Sequence, residues 1–163
     1  MIRGIFACDR ENGIGKNGTL PWPHNSEDLK WFKRSTKNCV VVMGRRTWND
    51  PLMPAPLPDR YNIVLTTKDL STGPKMLSGP NMIFQEVDSL THTMTLFQQD
   101  VWVIGGSTTF KALMHVCEEL WISRINGVYD CDTHLSDMCD YELFHKEYDV
   151  DKNLRIEKYR RSI

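Results

Sequence analysis

The carboxylate of Asp28 is well placed for acid chemistry, because it follows an aromatic corner and shares a predicted helix face with apolar side chains. It comes six residues after Trp22 and four before Phe32, in a segment predicted to be helical from Asn25 or Ser26 to Lys37. A carboxylate beside apolar side chains loses solvation, which raises its pKa and suits it to bind or protonate a nitrogen heterocycle. The alternative is an acid that complements the dipole at the helix start.

Two strand ends carry residue types that bind phosphate. In VIGGSTT (103–109) a buried strand ends at Gly105 and Gly106, and a helix begins with hydroxyl residues. In MGRRTW (43–48) another strand ends before Arg45 and Arg46, whose guanidinium groups could hold the 2′-phosphate that distinguishes NADP from NAD. Taken singly, the first could be a capped turn and the second a solvated basic turn.

The stretch GIGKNG (13–18) has the spacing G-x-G-x-x-G of a dinucleotide fingerprint, but its context does not fit. A helix should follow the third glycine, whereas Pro21 and Pro23 prevent one, and residue 38 is Asn where an acid is expected. The stretch is therefore interpreted as a binding loop that ends in a Leu-Pro-Trp corner, or as a surface turn.

Continuous apolar runs predict buried strands at 2–8, 39–44, 61–67, 81–84 and 101–106. Helical patterns at 87–98 and 107–116 lie between them. We expect a three-layer α/β fold with a mostly parallel central sheet of about eight strands and helices on both faces. Because no helix separates 119–125, 142–150 and 153–163, these segments are predicted to be antiparallel strands that finish the sheet.

The length and composition indicate a single domain over residues 1–163, whose partners have to be inferred from its sites. With 20 basic and 21 acidic residues it has no general attraction to nucleic acid or membranes. We expect no signal peptide or membrane span, and five cysteines without a C-x-x-C pair favour a reducing, cytoplasmic location. The segment 131–139 collects Cys, His and Asp, but its spacing matches no usual zinc site, so no metal is predicted.

In their order and spacing these motifs resemble dihydrofolate reductase. Gly13-Ile14-Gly15, Leu20-Pro21-Trp22, Asp28, Phe32 and Thr36 follow one another at the family's intervals. That register selects Asp28 over Glu27, since counting from Glu27 would place Trp31 where the family has Phe. The resemblance continues through MGRRTW (43–48), LPDR (57–60), NIVLTT (62–67), VIGGSTTF (103–110) and DTHL (132–135).

The resemblance implies hydride transfer from NADPH to 7,8-dihydrofolate, giving tetrahydrofolate for thymidylate and one-carbon metabolism in a monomeric antifolate target. The implied catalytic residues are Asp28, Trp22, Leu20 and Ser123. Substrate would contact Ile5, Phe6, Ala7, Asp28, Leu29, Phe32, Met53, Leu57, Arg60, Ile104 and Ser123. NADPH would contact Ala7, Ile14, Gly15, Leu20, Gly44, Arg45, Arg46, Thr47, Leu65, Thr66, Thr67, Ile104, Gly105, Gly106, Ser107, Thr108, Thr109 and Phe110.

Some details stay open at this stage. The proline-rich segment 49–56 is longer than usual in the family, so either Leu52 or Met53 could touch substrate. The Gly105-Gly106 peptide is expected to be cis, as in the family. The alternatives are the related NADPH-dependent pyrimidine reductase of riboflavin biosynthesis, which lacks the Leu-Pro-Trp and helix-Asp combination, and a non-catalytic scaffold, which would not need Asp28, Arg45 and Arg60.

Overall fold

A computed structural model describes residues 1–16, 20–23, 26–50, 56–66, 78–79, 81–135, 138–148 and 154–162. The strands are β1 (Ile2–Cys8), β2 (Gly13–Gly15), β3 (Val40–Gly44), β4 (Tyr61–Thr66), β5 (Ser78–Gly79), β6 (Met82–Glu86), β7 (Val101–Gly105), β8 (Glu119–Ile125), β9 (Thr133–His134), β10 (Tyr141–Tyr148) and β11 (Leu154–Arg161). The helices are α1 (Ser26–Thr36), α2 (Arg45–Trp48), α3 (Val87–Thr95) and α4 (Ser107–Leu113), and a 3-10 turn (Met114–Val116) follows α4.

Nine of these strands form one sheet in the order β10-β11-β8-β1-β7-β3-β4-β6-β5. The six strands from β8 to β6 in this order are mutually parallel, and β11 and β5 run antiparallel to their neighbours. The predicted mostly parallel sheet with an antiparallel C-terminal strand is thus confirmed.

One sequence expectation was right for only one of two pairings. The segment 119–125 was predicted to be antiparallel, and β8 does pair antiparallel with β11, but it pairs parallel with β1, where Ala7 lies opposite Ser123. The reason is that α4 and the 3-10 turn form the crossover from β7 to β8, so the chain re-enters the sheet in the same direction. Antiparallel pairing begins with β11 and continues to β10.

The sheet separates two hydrophobic cores, which explains why its central strands β3 and β7 are apolar along their length. Along β3, Val41 and Met43 pack with Trp31 of α1 on one face. Val40 and Val42 pack on the other face, in a core that includes residues from α3 and α4. Because side chains alternate between the two faces, a strand covered on both sides is mostly apolar, and polar side chains that it buries, such as Asn62 and Ser123, form hydrogen bonds. The predicted helices on both faces are confirmed.

Strand β10 forms one edge of the sheet and is open to solvent. All of its side chains except that of Tyr141 are exposed. A bulge interrupts its pairing with β11 between Leu143 and His145, and the guanidinium of Arg160 lies 4.2 Å from the centre of the Phe144 ring. At this edge the sheet is irregular and charged.

Candidate active site

Asp28 and Ser123 come together from distant parts of the chain. Asp28 lies in the first turn of α1, and Ser123 lies in the middle of β8, fully buried between β1 and β11. The Ser123 hydroxyl donates a hydrogen bond to Asp28 Oδ1 at 2.5 Å. The strand thereby fixes the orientation of a carboxylate that the helix alone would leave free to rotate.

The surroundings of Asp28 favour its protonated form. Burial raises the pKa of this carboxyl, and the hydrogen bond from Ser123 offsets that effect in part by stabilising the anion. The neighbouring acid, Glu27, is exposed and instead pairs with Lys30 at 3.3 Å. Of the two acids on this turn, Asp28 is the one whose environment is suited to holding a proton.

Apolar side chains from four elements of the chain surround this region. Ile5 of β1, Leu57 and Trp22 are buried members of one core cluster, and Ala7, Phe32 and Ile104 pack against it. Trp22 is 8% exposed, so the Leu-Pro-Trp corner is anchored in the core, whereas Leu20 two residues earlier is 59% exposed. The corner therefore joins a buried ring to an exposed leucine.

Arg60 lies next to the C-terminal half of α1. Its Nη1 donates to Thr36 Oγ1 at 3.1 Å, its Nε donates to the Pro58 carbonyl at 2.8 Å, and its guanidinium carbon lies 5.9 Å from the centre of the Phe32 ring. Burial lowers the pKa of Arg60, and the nearby charge of Asp59 raises it in part. The guanidinium is thus held rigidly, as recognition of a carboxylate requires.

A cavity of about 370 Å³ adjoins Arg60. It lies at the starts of β3 and β4, which are the opposite ends of these strands from Gly44 and Leu65. Apart from Arg60, none of its lining residues was predicted to be in the site. They are Asn38, Cys39, Val40, Asp59, Tyr61, Phe97 and Gln99.

The two predicted phosphate-binding strand ends lie side by side, because β3 and β7 are neighbours in the sheet. A methyl group added at Gly44 would lie 2.6 Å from Thr109 Oγ1, and one added at Gly105 would lie 3.4 Å from Thr47 Oγ1. Gly105 has a φ of +143°, which side chains rarely tolerate. The Gly105-Gly106 peptide is cis, as expected.

This arrangement fits a nucleotide pyrophosphate. Gly105 and Gly106 leave room for a ligand to approach the backbone beside the Thr47 hydroxyl, whereas the Thr109 hydroxyl lies close against Gly44. Arg45 adds a cation, since its guanidinium lies 5.4 Å from the centre of the Phe84 ring. Among the described residues, no ion pair joins Arg45 to a carboxylate, and guanidinium donors of this kind suit a phosphate.

The remaining predicted residues divide into four groups. Phe6 and Phe110 face the second core, where their ring centres are 4.5 Å apart, and Leu65 is buried in that core too. Thr66 is buried at the end of β4, and Ile14 and Gly15 lie on β2. The exposed or half-buried ones are Leu29, Arg46, Ser107, Gly106 and Thr108. Met53 and Thr67, together with the alternative Leu52, lie outside the described residues.

Sequence reasoning missed the network around Asp9, which is 1% exposed. Asp9 Oδ1 accepts hydrogen bonds from the backbone N–H groups of Glu11 and Gly13, both at 2.8 Å, and Oδ2 accepts one from Tyr129 N–H at 3.1 Å. An Asp directly after a strand and before Gly signals a turn, and that signal could have identified the first two bonds. Nothing local indicates the third, which spans 120 residues.

The GIG and DTHL motifs, which are far apart in sequence, pair as the two-stranded sheet of β2 and β9. Asp132 N–H donates to the Gly15 carbonyl at 3.1 Å, and Leu135 N–H donates to the Asn12 carbonyl at 2.8 Å.

In the part of the chain that the structure describes, no group of three or more His, Cys, Asp or Glu side chains could hold a metal. Nor is any helix there both long enough and apolar enough to cross a membrane.

Comparisons with known proteins agree with this geometry. The viral dihydrofolate reductase of Saimiriine herpesvirus 2 (strain 488) is 32% identical, with 97% of this chain and 80% of the relative covered. The pig (Sus scrofa) dihydrofolate reductase is 34% identical over 94% of this chain and 90% of its own length. The dihydrofolate reductase of Drosophila melanogaster is 38% identical over 79% of this chain and 75% of its own.

A solved structure extends the similarity to three dimensions. Dihydrofolate reductase from Enterococcus faecalis, complexed with NADP(H) and RAB-propyl, superposes with a TM-score of 0.81 at 28% identity and covers 100% of this chain and 97% of its own. The family model described as dihydrofolate reductase matches residues 1–161. Since the family model covers nearly the whole chain and the relatives agree with it in sequence and in fold, this chain belongs to the dihydrofolate reductase family.

Proposed function

We propose that the cluster around Asp28 and the strand ends at Gly44 and Gly105 together form the active site of this dihydrofolate reductase. The reaction is the NADPH-dependent reduction of 7,8-dihydrofolate to 5,6,7,8-tetrahydrofolate. The observation that carries the assignment is a carboxyl with a raised pKa, oriented by a buried hydroxyl beside an apolar cluster.

Asp28 holds the pterin and supplies its proton. With Oδ1 engaged by Ser123, the carboxyl is oriented to bind the amide-like edge of the pterin, and its raised pKa keeps a proton within reach of the ring nitrogen. Leu29, Phe32, Ile5 and Leu57 supply apolar surface for the pterin and aminobenzoyl groups. Arg60, already fixed by Thr36 and Pro58, binds the carboxylate of the glutamate tail.

The glycine-bearing strand ends bind the cofactor. Gly44, Thr47, Gly105, Gly106 and Thr109 provide the space and polar groups for its pyrophosphate. When bound, NADPH supplies the hydride. Arg45, stacked on Phe84, binds the 2′-phosphate and gives preference over NADH.

The Leu-Pro-Trp corner excludes water. Trp22 is fixed in the core cluster, and exposed Leu20 is free to cover bound ligands, which lowers the local dielectric and strengthens the effect of the fixed charges.

We also propose that the chain acts as a cytoplasmic monomer. No disulfide joins any two of its five cysteines, which suits a reducing compartment.

The deciding test follows NADPH absorbance with and without dihydrofolate. The wild type should oxidise NADPH only when dihydrofolate is present, and Asp28→Asn should lower kcat/KM about 100-fold or more, because an amide cannot deliver the proton. The matched control is Glu27→Gln, which removes the adjacent, exposed carboxylate and should leave kcat/KM unchanged. A wild type without dihydrofolate-dependent oxidation would refute the proposed function, and an Asp28→Asn variant of normal rate would refute the role of Asp28.

A further inference from the structure

We propose that Asp9 is a positioning residue for hydride transfer, which acts by holding Tyr129 against Trp22. Asp9 lies directly after β1, two residues beyond Ala7, which pairs with Ser123 on β8. The inference rests on the proposed function in one respect, the placement of Trp22 at the reaction centre. The link from Asp9 to Trp22 rests on contacts in this chain.

The carboxylate of Asp9 joins two segments that are distant in sequence. Oδ1 accepts the N–H groups of Glu11 and Gly13 and so shapes the turn that leads into β2. Oδ2 accepts the N–H group of Tyr129 from the connection that follows β8. The Cys131 thiol donates to the same oxygen at 3.6 Å. A buried anion with amide donors on both oxygens fixes the distance between the two segments.

Tyr129 passes this constraint on to Trp22. Its ring meets Trp22 edge to face, with centres 6.0 Å apart and planes at 69°. Its hydroxyl donates to the Asn126 carbonyl at 3.2 Å, so both ends of the residue are held. Trp22 is 8% exposed, and an aromatic edge contact at this distance restricts how a buried ring can turn. The position of Trp22 therefore depends on the bond between Asp9 and the Tyr129 backbone.

Other contacts keep the two segments together when that bond is removed. Arg124 Nη1 donates to the Asp9 carbonyl at 3.0 Å and to Asn12 Oδ1 at 2.6 Å. Arg10 N–H donates to the Gly127 carbonyl at 3.0 Å. Since none of these bonds uses the Asp9 side chain, its replacement leaves the fold supported and changes one link.

Asp9→Asn removes that link selectively. The amide oxygen can still accept from Glu11 and Gly13, whereas the amide nitrogen would face the Tyr129 N–H, so that two donors oppose each other. Tyr129→Leu makes the complementary change, since it removes the ring and keeps the backbone bond to Asp9. Glu11→Gln is the matched control, because this exposed carboxylate lies on the same turn and only its backbone N–H bonds to Asp9.

The experiment combines ¹⁹F spectra of the full chain labelled with 5-fluorotryptophan and single-turnover hydride transfer, identified by its isotope effect with deuterated NADPH. Trp22→Phe assigns the Trp22 resonance. We expect Asp9→Asn and Tyr129→Leu each to shift or broaden this resonance and to slow hydride transfer about three- to tenfold, a loss comparable to one hydrogen bond. The resonance of Trp102, 2% exposed in the same core, should stay in place, as should all signals in Glu11→Gln.

The double variant separates positioning from general stability. If Asp9 acts through Tyr129, Asp9→Asn should slow hydride transfer no further in the Tyr129→Leu background, although it still lowers the melting temperature. Losses that multiply, or an unmoved Trp22 resonance in Asp9→Asn, would overturn the proposal. Should Asp9→Asn fail to fold, an unchanged resonance and rate in Tyr129→Leu would overturn it equally. The spectra require no turnover, so an inactive wild type would count against the proposed function instead.

Discussion

Asp9 and Asp28 are both withdrawn from water, yet their surroundings move their pKa values in opposite directions. At Asp28 burial raises the pKa, and the Ser123 hydroxyl offsets this in part. At Asp9 burial also acts to raise the pKa, but the backbone N–H groups of Gly13, Tyr129 and Glu11 together outweigh it, and the net shift is downward. Burial alone therefore does not decide what a carboxylate does; the donors around it do.

Two arginines show the same contrast. Arg124 is buried and donates to Glu157 at 3.0 and 2.8 Å as well as to the Asp9 carbonyl and Asn12, so its donors serve the fold. Arg45 is half-buried and lies against the Phe84 ring, with no carboxylate partner among the described residues. The guanidinium of Arg124 therefore stabilises the fold, whereas that of Arg45 is proposed to bind a ligand.

Replacing each of these two arginines in turn should produce the largest effects. Arg124→Met should lower the free energy of unfolding by about 3 kcal/mol, because buried Glu157 loses its main partner and keeps Arg155 at 3.0 Å. Arg45→Gln should change stability by less than about 0.5 kcal/mol and reduce the preference for NADPH over NADH about tenfold. Urea denaturation measures the free energies of unfolding, and kcat/KM with NADPH and with NADH measures the cofactor preference.

Either of two results would contradict this contrast between the arginines. One is a changed ratio of kcat/KM with NADPH to kcat/KM with NADH in the folded fraction of Arg124→Met. The other is a wild-type ratio in Arg45→Gln.

The two aspartates should shift stability in opposite directions when each is replaced by Asn. At neutral pH Asp9→Asn should lower the free energy of unfolding by about 1–3 kcal/mol, since a buried N–H loses its acceptor. Asp28→Asn should raise the melting temperature, because an uncharged amide avoids the cost of burying an anion. Thermal unfolding of both variants at pH 7 and below the ordinary Asp pKa of 3.8 checks the signs.

The pH dependence follows from linkage. The stabilisation by Asp9 is complete above pH 3.8 and is lost as the pH falls through its lowered pKa. The cost of ionising Asp28 is present above its raised pKa and vanishes as the pH falls below 3.8. The gain from Asp28→Asn should therefore disappear in acid. A gain that persists there would mean that packing, and not charge, is responsible.

The smallest expected effect is a displaced pH profile in Ser123→Ala. The Ser123 hydroxyl lowers the pKa of Asp28, so its removal should raise that pKa further. If Asp28 delivers the proton, the limb on which kcat/KM falls with rising pH should move to higher pH. Ser123→Thr keeps a hydroxyl and should leave the limb in place. A profile that does not move in Ser123→Ala would show that another group controls it.

Much of the sheet could be predicted from sequence. Strands β1, β3, β4 and β7 pack against a core on each face, and their continuous apolar runs indicate burial on both sides. Asp28 could be found because its spacing from Trp22 and Phe32 is local. The direction of β8 could not be derived from its own residues, since it depends on the crossover before it. The hydrogen bond between the Tyr129 N–H and Asp9 could not be predicted for the same reason, since only the folded chain brings these residues together.

The exposed edge at β10 bears on how the protein behaves among other proteins. A straight, unpaired strand offers its backbone to any other strand, and that is how many β-rich proteins aggregate. Here the bulge between Leu143 and His145 disturbs the spacing of the backbone groups, and two cations lie over aromatic rings of the strand, Arg160 over Phe144 and Lys146 over Tyr148. This edge, which exposes Leu143, Phe144 and Tyr148, is thus poorly shaped to recruit a second sheet.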